Sequence, residues 1–131
     1  MDGEIVACPQ LPTTLPTLDE LIGLSGLTAD TVADDLLQRT ASAESNCQVY
    51  TLHAELEGQK LAAVFQRLLE GWRAQGYRLV SMATLLESLN TAQLPRHSLV
   101  WGTVPGRSGE LLVQGSEFLY EPHANILEEL A

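Results

Sequence analysis

Apolar residues recur at helical spacing most clearly between Gln59 and Gln75. There Leu61, Val64, Phe65, Leu68, Leu69 and Trp72 follow the i, i+3, i+4, i+7 rule and leave Lys60, Arg67, Glu70 and Arg73 on the other face. The pattern predicts a helix with one buried side, stopped by Gly76. On either side the texture changes to short runs of β-branched, aromatic and aliphatic residues, Cys47 to Leu52 and Tyr77 to Val80, which read as strands. Val49 to Val80 therefore has the order and length of a strand, helix, strand unit joined by a parallel right-handed crossover.

The flanking chain supports an α/β reading. Glu4 to Cys8 (EIVAC) is a short apolar run closed by Pro9, suited to a buried parallel strand. Pro9, Pro12 and Pro16 make the next stretch an extended crossing segment, because each proline fixes its own φ and disfavours helix in the residue before it. Thr17 and Glu20 have capping-box spacing at the head of a short helix with Leu18, Leu21 and Ile22 as its apolar face, ended by Gly23 and Gly26. Thr28 is placed to cap a second helix carrying Val32, Ala33, Leu36 and Leu37, with Asp30 in the first turn and Arg39 in the last. A polar loop, TASAESN, leads to the first of the two central strands. Ser81 caps a further helix through Leu89 with Met82, Leu85, Leu86 and Leu89 inward, before Asn90 and Pro95 break the pattern. From His97 onward two β-like runs flank Pro105, Gly106 and Gly109, which predicts a hairpin or extended flap, followed by a tail with a short terminal helix. Residues 97–131 are thus a flap and tail within a single domain covering 1–131.

Composition narrows the function classes. With 45% apolar and 18% charged residues over 131 positions, the chain is an ordinary one-domain globular sequence. Seventeen acids against seven bases give a net charge of -10, and Arg67, Arg73 and Arg78 are separated by apolar or acidic neighbours, so nucleic acid is excluded as a partner. Cys8 and Cys47 lack metal-ligand spacing, and no basic leader precedes them, which suits reduced thiols in the cytoplasm. No run of about 18 apolar residues occurs, so membrane contact is at most peripheral, at the cytoplasmic face of the inner membrane.

Candidate chemistry concentrates in Val49 to Gly58, VYTLHAELEG, the loop leaving the carboxyl end of a predicted strand, where parallel α/β folds bind ligands. His53, Glu55 and Glu57 are its polar residues. On the residues alone His53 stands open between a hydrogen-bonded structural histidine and a proton-transfer group. Glu55 and Glu57 read as solvated loop carboxylates, since no HxxxH, HExxH or Cys/His partner completes a metal site. The glycines around Ser108 have neither nucleophile-elbow nor P-loop spacing, and turn formation accounts for them. Trp72 is assigned to the core; Trp101 is either a flap anchor or a wall of a sugar pocket; His97 and His123 are placed at the surface.

PQLPTTLPTLDELIG, VYTLHAELEG, RLVSMATLLESL and GTVPGRSG, in that order over roughly residues 4 to 112, resemble the carboxyl-terminal half of the polysaccharide deacetylase (NodB-homology) family. The similarity is greatest to the branch that deformylates 4-deoxy-4-formamido-L-arabinose on undecaprenyl phosphate during lipid A modification. The resemblance implies the carboxyl-terminal part of a distorted (β/α) barrel. It also implies metal-assisted amide hydrolysis with zinc or a similar divalent ion. It assigns His53 as general acid to the departing amine and Leu52 as a wall of the acyl pocket. The family's aspartate base, His-x-x-x-His pair and Arg-x-Pro-Tyr motif have no counterpart: Asp34 and Asp35 lie in a predicted helix, and Glu110 and Leu111 stand where an aromatic residue is expected. The expectation is a partial domain that binds no metal alone. It would meet a lipid-linked amino sugar together with an amino-terminal half, or self-associate through an open edge. A non-catalytic remnant or interaction module keeping the fold is the alternative.

Overall fold

The computed structural model describes residues 8–45 and 47–118. The predicted strand Glu4 to Cys8 lies almost wholly outside the described residues, and so does the terminal tail helix. Four α-helices precede an antiparallel hairpin: α1 Leu18–Leu21, α2 Val32–Ala41, α3 Ala62–Ala74, α4 Met82–Glu87, β1 Arg96–Gly102 and β2 Leu111–Phe118. The architecture is mixed α/β.

The core is where the first three helices meet. Leu18 and Leu21 of α1, Val32, Ala33 and Leu36 of α2, and Leu68 and Trp72 of α3 are buried, with Leu15 beside them. Val32 with Leu36 and Leu68 with Trp72 are i, i+4 pairs, which puts each pair on one helix face. A fully buried side chain of this kind contributes about 1.5–3 kcal/mol, and Leu37, Tyr50, Val64 and Leu69 pack against the cluster from its edges. Gly71 lets α3 close on α2, since a methyl group there would come within 2.5 Å of Leu37 Cδ2. Gln75 completes the contact: its Nε2 donates to Leu37 O at 2.7 Å and its Oε1 accepts from Thr40 Oγ1 at 2.7 Å.

Local expectations hold with shifts. The Thr17 and Glu20 capping box forms at α1, with Glu20 Oε2 accepting from Thr17 N at 2.9 Å. α2 starts one turn later than Thr28, because Thr28 O accepts from the amides of Thr31 and Val32 in a separate turn. Asp34 and Asp35, rather than Asp30, then occupy its first turn. The long helix begins at Ala62 instead of Gln59, and Leu56–Lys60 forms a π-helical turn before it, marked by Leu61 N donating to Leu56 O at 2.8 Å. Ser81 caps α4, its Oγ accepting from Thr84 N at 3.2 Å. The expected inner face of α4 is not covered, however, for Met82 and Leu86 are exposed.

The parallel strands require correction. Cys47 to Leu52 and Tyr77 to Val80 form no strand ladder among the described residues, so of the expected parallel crossover only the helix between them is present there. A strand is defined by a neighbour, and among the described residues Val49 is the one position of the first run whose carbonyl accepts from backbone amides, Thr14 N at 3.0 Å and Leu15 N at 3.1 Å. The predicted flap is a true hairpin, with Trp101 opposite Leu112 and an irregularity between His97 and Leu99. Trp101 is 67% exposed and therefore does not anchor the flap to the described body. The turn between the strands performs that anchoring. Gly106, at φ +89°, lies on the backbone of Glu20, where a methyl group would sit 2.9 Å from Glu20 Cα, and neighbouring Arg107 pairs with the Glu20 carboxylate.

Candidate functional site

His53 ends the extended segment and is held from three directions. Its carbonyl accepts from Leu56 N at 2.9 Å and Glu57 N at 3.0 Å, which starts the π-helical turn. Its amide donates to Glu57 Oε2 at 2.9 Å, and Glu57 Oε1 accepts from Tyr50 OH at 2.9 Å. Tyr50 in turn packs on Trp72 with ring centroids 5.3 Å apart. The backbone of His53 is thus tied through one buried carboxylate to the helical core. Its ring, about one-third exposed, places Nδ1 3.2 Å from Asp19 Oδ1.

Asp19 stands at the head of α1. The Thr17 hydroxyl, donating to Asp19 Oδ1 at 2.6 Å, does most to hold its carboxyl below the usual carboxylate range, against partial burial and with help from the charges of His53 and Arg107. Burial pushes Glu20 upward, but the Arg107 guanidinium and the Thr17 amide outweigh it and keep Glu20 below its ordinary value. Burial first and Glu57 second raise the Tyr50 phenol far above the ordinary tyrosine value, so Tyr50 stays a donor at all ordinary pH.

Asp19, held ionised by these contacts, is the acidic group that faces the His53 ring. Leu52, beside it, is 45% exposed and lines a groove of about 890 Å³ that runs between the extended segments under Tyr50 and Trp72. Leu52 and His53 directly precede the short helical segment that leads into the π-helical turn, with Leu52 exposed and His53 part-exposed, but the run before them is not the strand that the sequence reading expected. Glu55 is exposed, as expected of a loop carboxylate. Glu57 is a correction: it is 2% exposed and organises the loop from within. The sequence reading missed Asp19 and Arg107 as neighbours of the site; Asp19 lies within the capping-box segment, but nothing local marks a contact with His53. His97 is half-buried, its Nδ1 3.0 Å from Gly115 O, and His123 lies outside the described residues.

Among the described residues no three His, Cys, Asp or Glu side chains come together as a metal site. Cys8 and Cys47 are exposed and unbridged. No helix of the described residues is long and apolar enough to cross a membrane.

No family model matches the chain. Curated relatives do, of which two are described. One is a probable 4-deoxy-4-formamido-L-arabinose-phosphoundecaprenol deformylase ArnD of Wigglesworthia glossinidia brevipalpis, 30% identical over 113 residues, which cover 86% of this chain and 38% of that protein. The other is the protein of the same description in Shewanella sediminis (strain HAW-EB3), 32% identical over 108 residues, 82% of this chain and 34% of that protein. The chain spans little more than a third of the length of the relatives it matches. It is a distant homologue of part of the 4-deoxy-4-formamido-L-arabinose-phosphoundecaprenol deformylases.

Proposed function

We infer that this chain supplies the carboxyl-terminal part of a (β/α) barrel amide hydrolase that deformylates, or deacetylates, a lipid-linked amino sugar. The substrate would be 4-formamido-arabinose on undecaprenyl phosphate, met at the cytoplasmic face of the membrane by peripheral contact. The observation that carries the reading is the Asp19 to His53 pairing beside the exposed Leu52. An amine cannot leave an amide as its anion, and a histidine oriented through Nδ1 can deliver a proton from Nε2 as the carbon–nitrogen bond breaks. Asp19 positions the ring and offsets its positive charge, while Leu52 offers an apolar wall to a formyl or acetyl group.

The divalent ion of such hydrolases would polarise the carbonyl and supply hydroxide. The described residues do not fit it, since Asp19 and His53 are paired to each other and Glu20 to Arg107, so no step here is routed through a metal. The base and metal ligands belong to an amino-terminal half, without which the chain is inactive. The test is amine release from a formamido-sugar phospholipid, with zinc, by the chain alone and by the chain joined to the remaining portion of the Wigglesworthia relative. The joined protein is expected to turn over and His53→Gln to lower its rate about 10²- to 10⁴-fold. Turnover by the chain alone, or an unaffected His53→Gln protein, would overturn the reading. A second reading, a non-catalytic module that binds a partner, is favoured by the open apolar groove.

A further inference from the structure

The hairpin turn meets the body of the protein at a pair of consecutive acids. Asp19 and Glu20 lie in the first turn of α1, and Thr17 joins them: its hydroxyl donates to Asp19 Oδ1 and its amide to Glu20 Oε2. Each acid has a different partner beyond Thr17. Asp19 Oδ1 faces Nδ1 of the His53 ring at 3.2 Å, whereas Glu20 Oε1 accepts from Nε of Arg107. Gly106, at φ +89°, lets the turn lie on the Glu20 backbone and so delivers Arg107 to this place. Arg107, Glu20, Asp19 and the His53 ring thus form one chain of neighbours drawn from three parts of the sequence. The other groups at His53 are Glu57, which takes its amide, and Tyr50, a neutral donor to Glu57.

We propose that Arg107 is a positioning residue for His53: by neutralising Glu20 it leaves Asp19 as the single carboxylate acting on the ring, which makes the hairpin turn a working part of the site. Glu20 is 6% exposed, so without Arg107 water would screen its charge poorly and two adjacent carboxylates would act on one imidazole. The influence extends to Asp19 itself. Behind the Thr17 hydroxyl, which does most, the Arg107 charge helps to hold Asp19 below the usual carboxylate range. The consequence for chemistry rests on the proton-donor role inferred above for His53. A ring facing two acids would keep its proton too firmly to pass it to a departing amine, whereas a ring facing one acid can release it.

The test uses two variants that break the same ion pair and loosen the same turn but change the charge beside Asp19 in opposite senses. Arg107→Gln removes a positive charge and Glu20→Gln a negative one, and neither touches the buried cluster of Leu18, Leu36 and Leu68. The His53 ring signals of the full chain are followed by NMR as pH is varied. Their transition should move to higher pH in Arg107→Gln and to lower pH in Glu20→Gln, and should return close to that of the parent in Arg107→Lys. A turn that merely fastens the hairpin would move both glutamine variants the same way or neither, and any pattern other than opposite shifts overturns the proposal. Amine release separates it from the functional reading. In the chain joined to the remaining portion of the Wigglesworthia relative, Arg107→Gln should lower the plateau rate about threefold and carry the alkaline limb of the pH profile upward. Opposite ring shifts without turnover remove the hydrolase alone, whereas turnover that needs His53 but ignores Arg107 removes the positioning role alone.

Discussion

Replacing Glu57 by alanine should destabilise this protein far more than its place in a polar loop suggests. The carboxylate accepts two hydrogen bonds, from Tyr50 OH and His53 N, both at 2.9 Å, and the residue is 2% exposed. A bond to a charged acceptor contributes about 1.5–3 kcal/mol, and truncation leaves both donors without a partner, so Glu57→Ala should cost about 3–5 kcal/mol. For a chain of this size that corresponds to a fall in Tm of more than about 10 °C. Glu57→Gln should cost only about 1 kcal/mol, because the amide oxygen still accepts from His53 N and the tyrosine hydroxyl can turn to accept from the amide nitrogen. Tyr50→Phe on each background gives a double-mutant cycle whose coupling should be about 1–2 kcal/mol. Denaturant unfolding followed by circular dichroism measures all of these, and exchange of the His53 amide should accelerate about a hundredfold in Glu57→Ala. A Glu57→Ala protein within about 0.5 kcal/mol of the parent would show that the carboxylate is solvated and refute the account of how His53 is held.

Gly106→Ala should release the flap from α1, since a side chain is strained at φ +89° and would press on the Glu20 backbone; about 1–3 kcal/mol of docking is lost, read as faster proteolysis between β1 and β2, and an unchanged cleavage rate would refute it. Acid sensitivity follows from Asp19 and Glu20, whose folded-state carboxyls sit below their ordinary values of 3.8 and 4.5. Depressed folded values mean that the stabilisation is complete above about pH 4.5 and is lost as pH falls through the lower folded values. Unfolding measured from pH 6 to pH 2 should show Glu20→Gln with a shallower acid decline than the parent, and parallel curves would refute it.

The helices were legible because their signals are local. Thr17 with Glu20, Ser81, and the stripe running through Leu68 and Trp72 carry start and face within a few residues, and each appears close to its expected place. The hairpin was legible for the same reason. The parallel strands were not realised, since the extended runs Cys47 to Leu52 and Tyr77 to Val80 announce an intrinsic preference while a ladder depends on a neighbour that local sequence does not specify. At the site, His53 and Leu52 were read from their place at the end of such a run. Glu57 was misread because polarity predicts exposure until tertiary partners, here Tyr50 and the His53 amide, are known. Arg107 could not be read as a partner of Glu20, for 87 positions separate them.

That separation gives the Glu20 carboxylate a part in the order of assembly. Its bond to Thr17 N closes within one helical turn and can form as soon as α1 does, whereas its pairing with Arg107 must wait until a loop of 87 residues has closed. Loop closure over that distance favours a late docking of the hairpin. During synthesis, the helical body can assemble around Leu18, Leu36 and Leu68 before β1 and β2 exist.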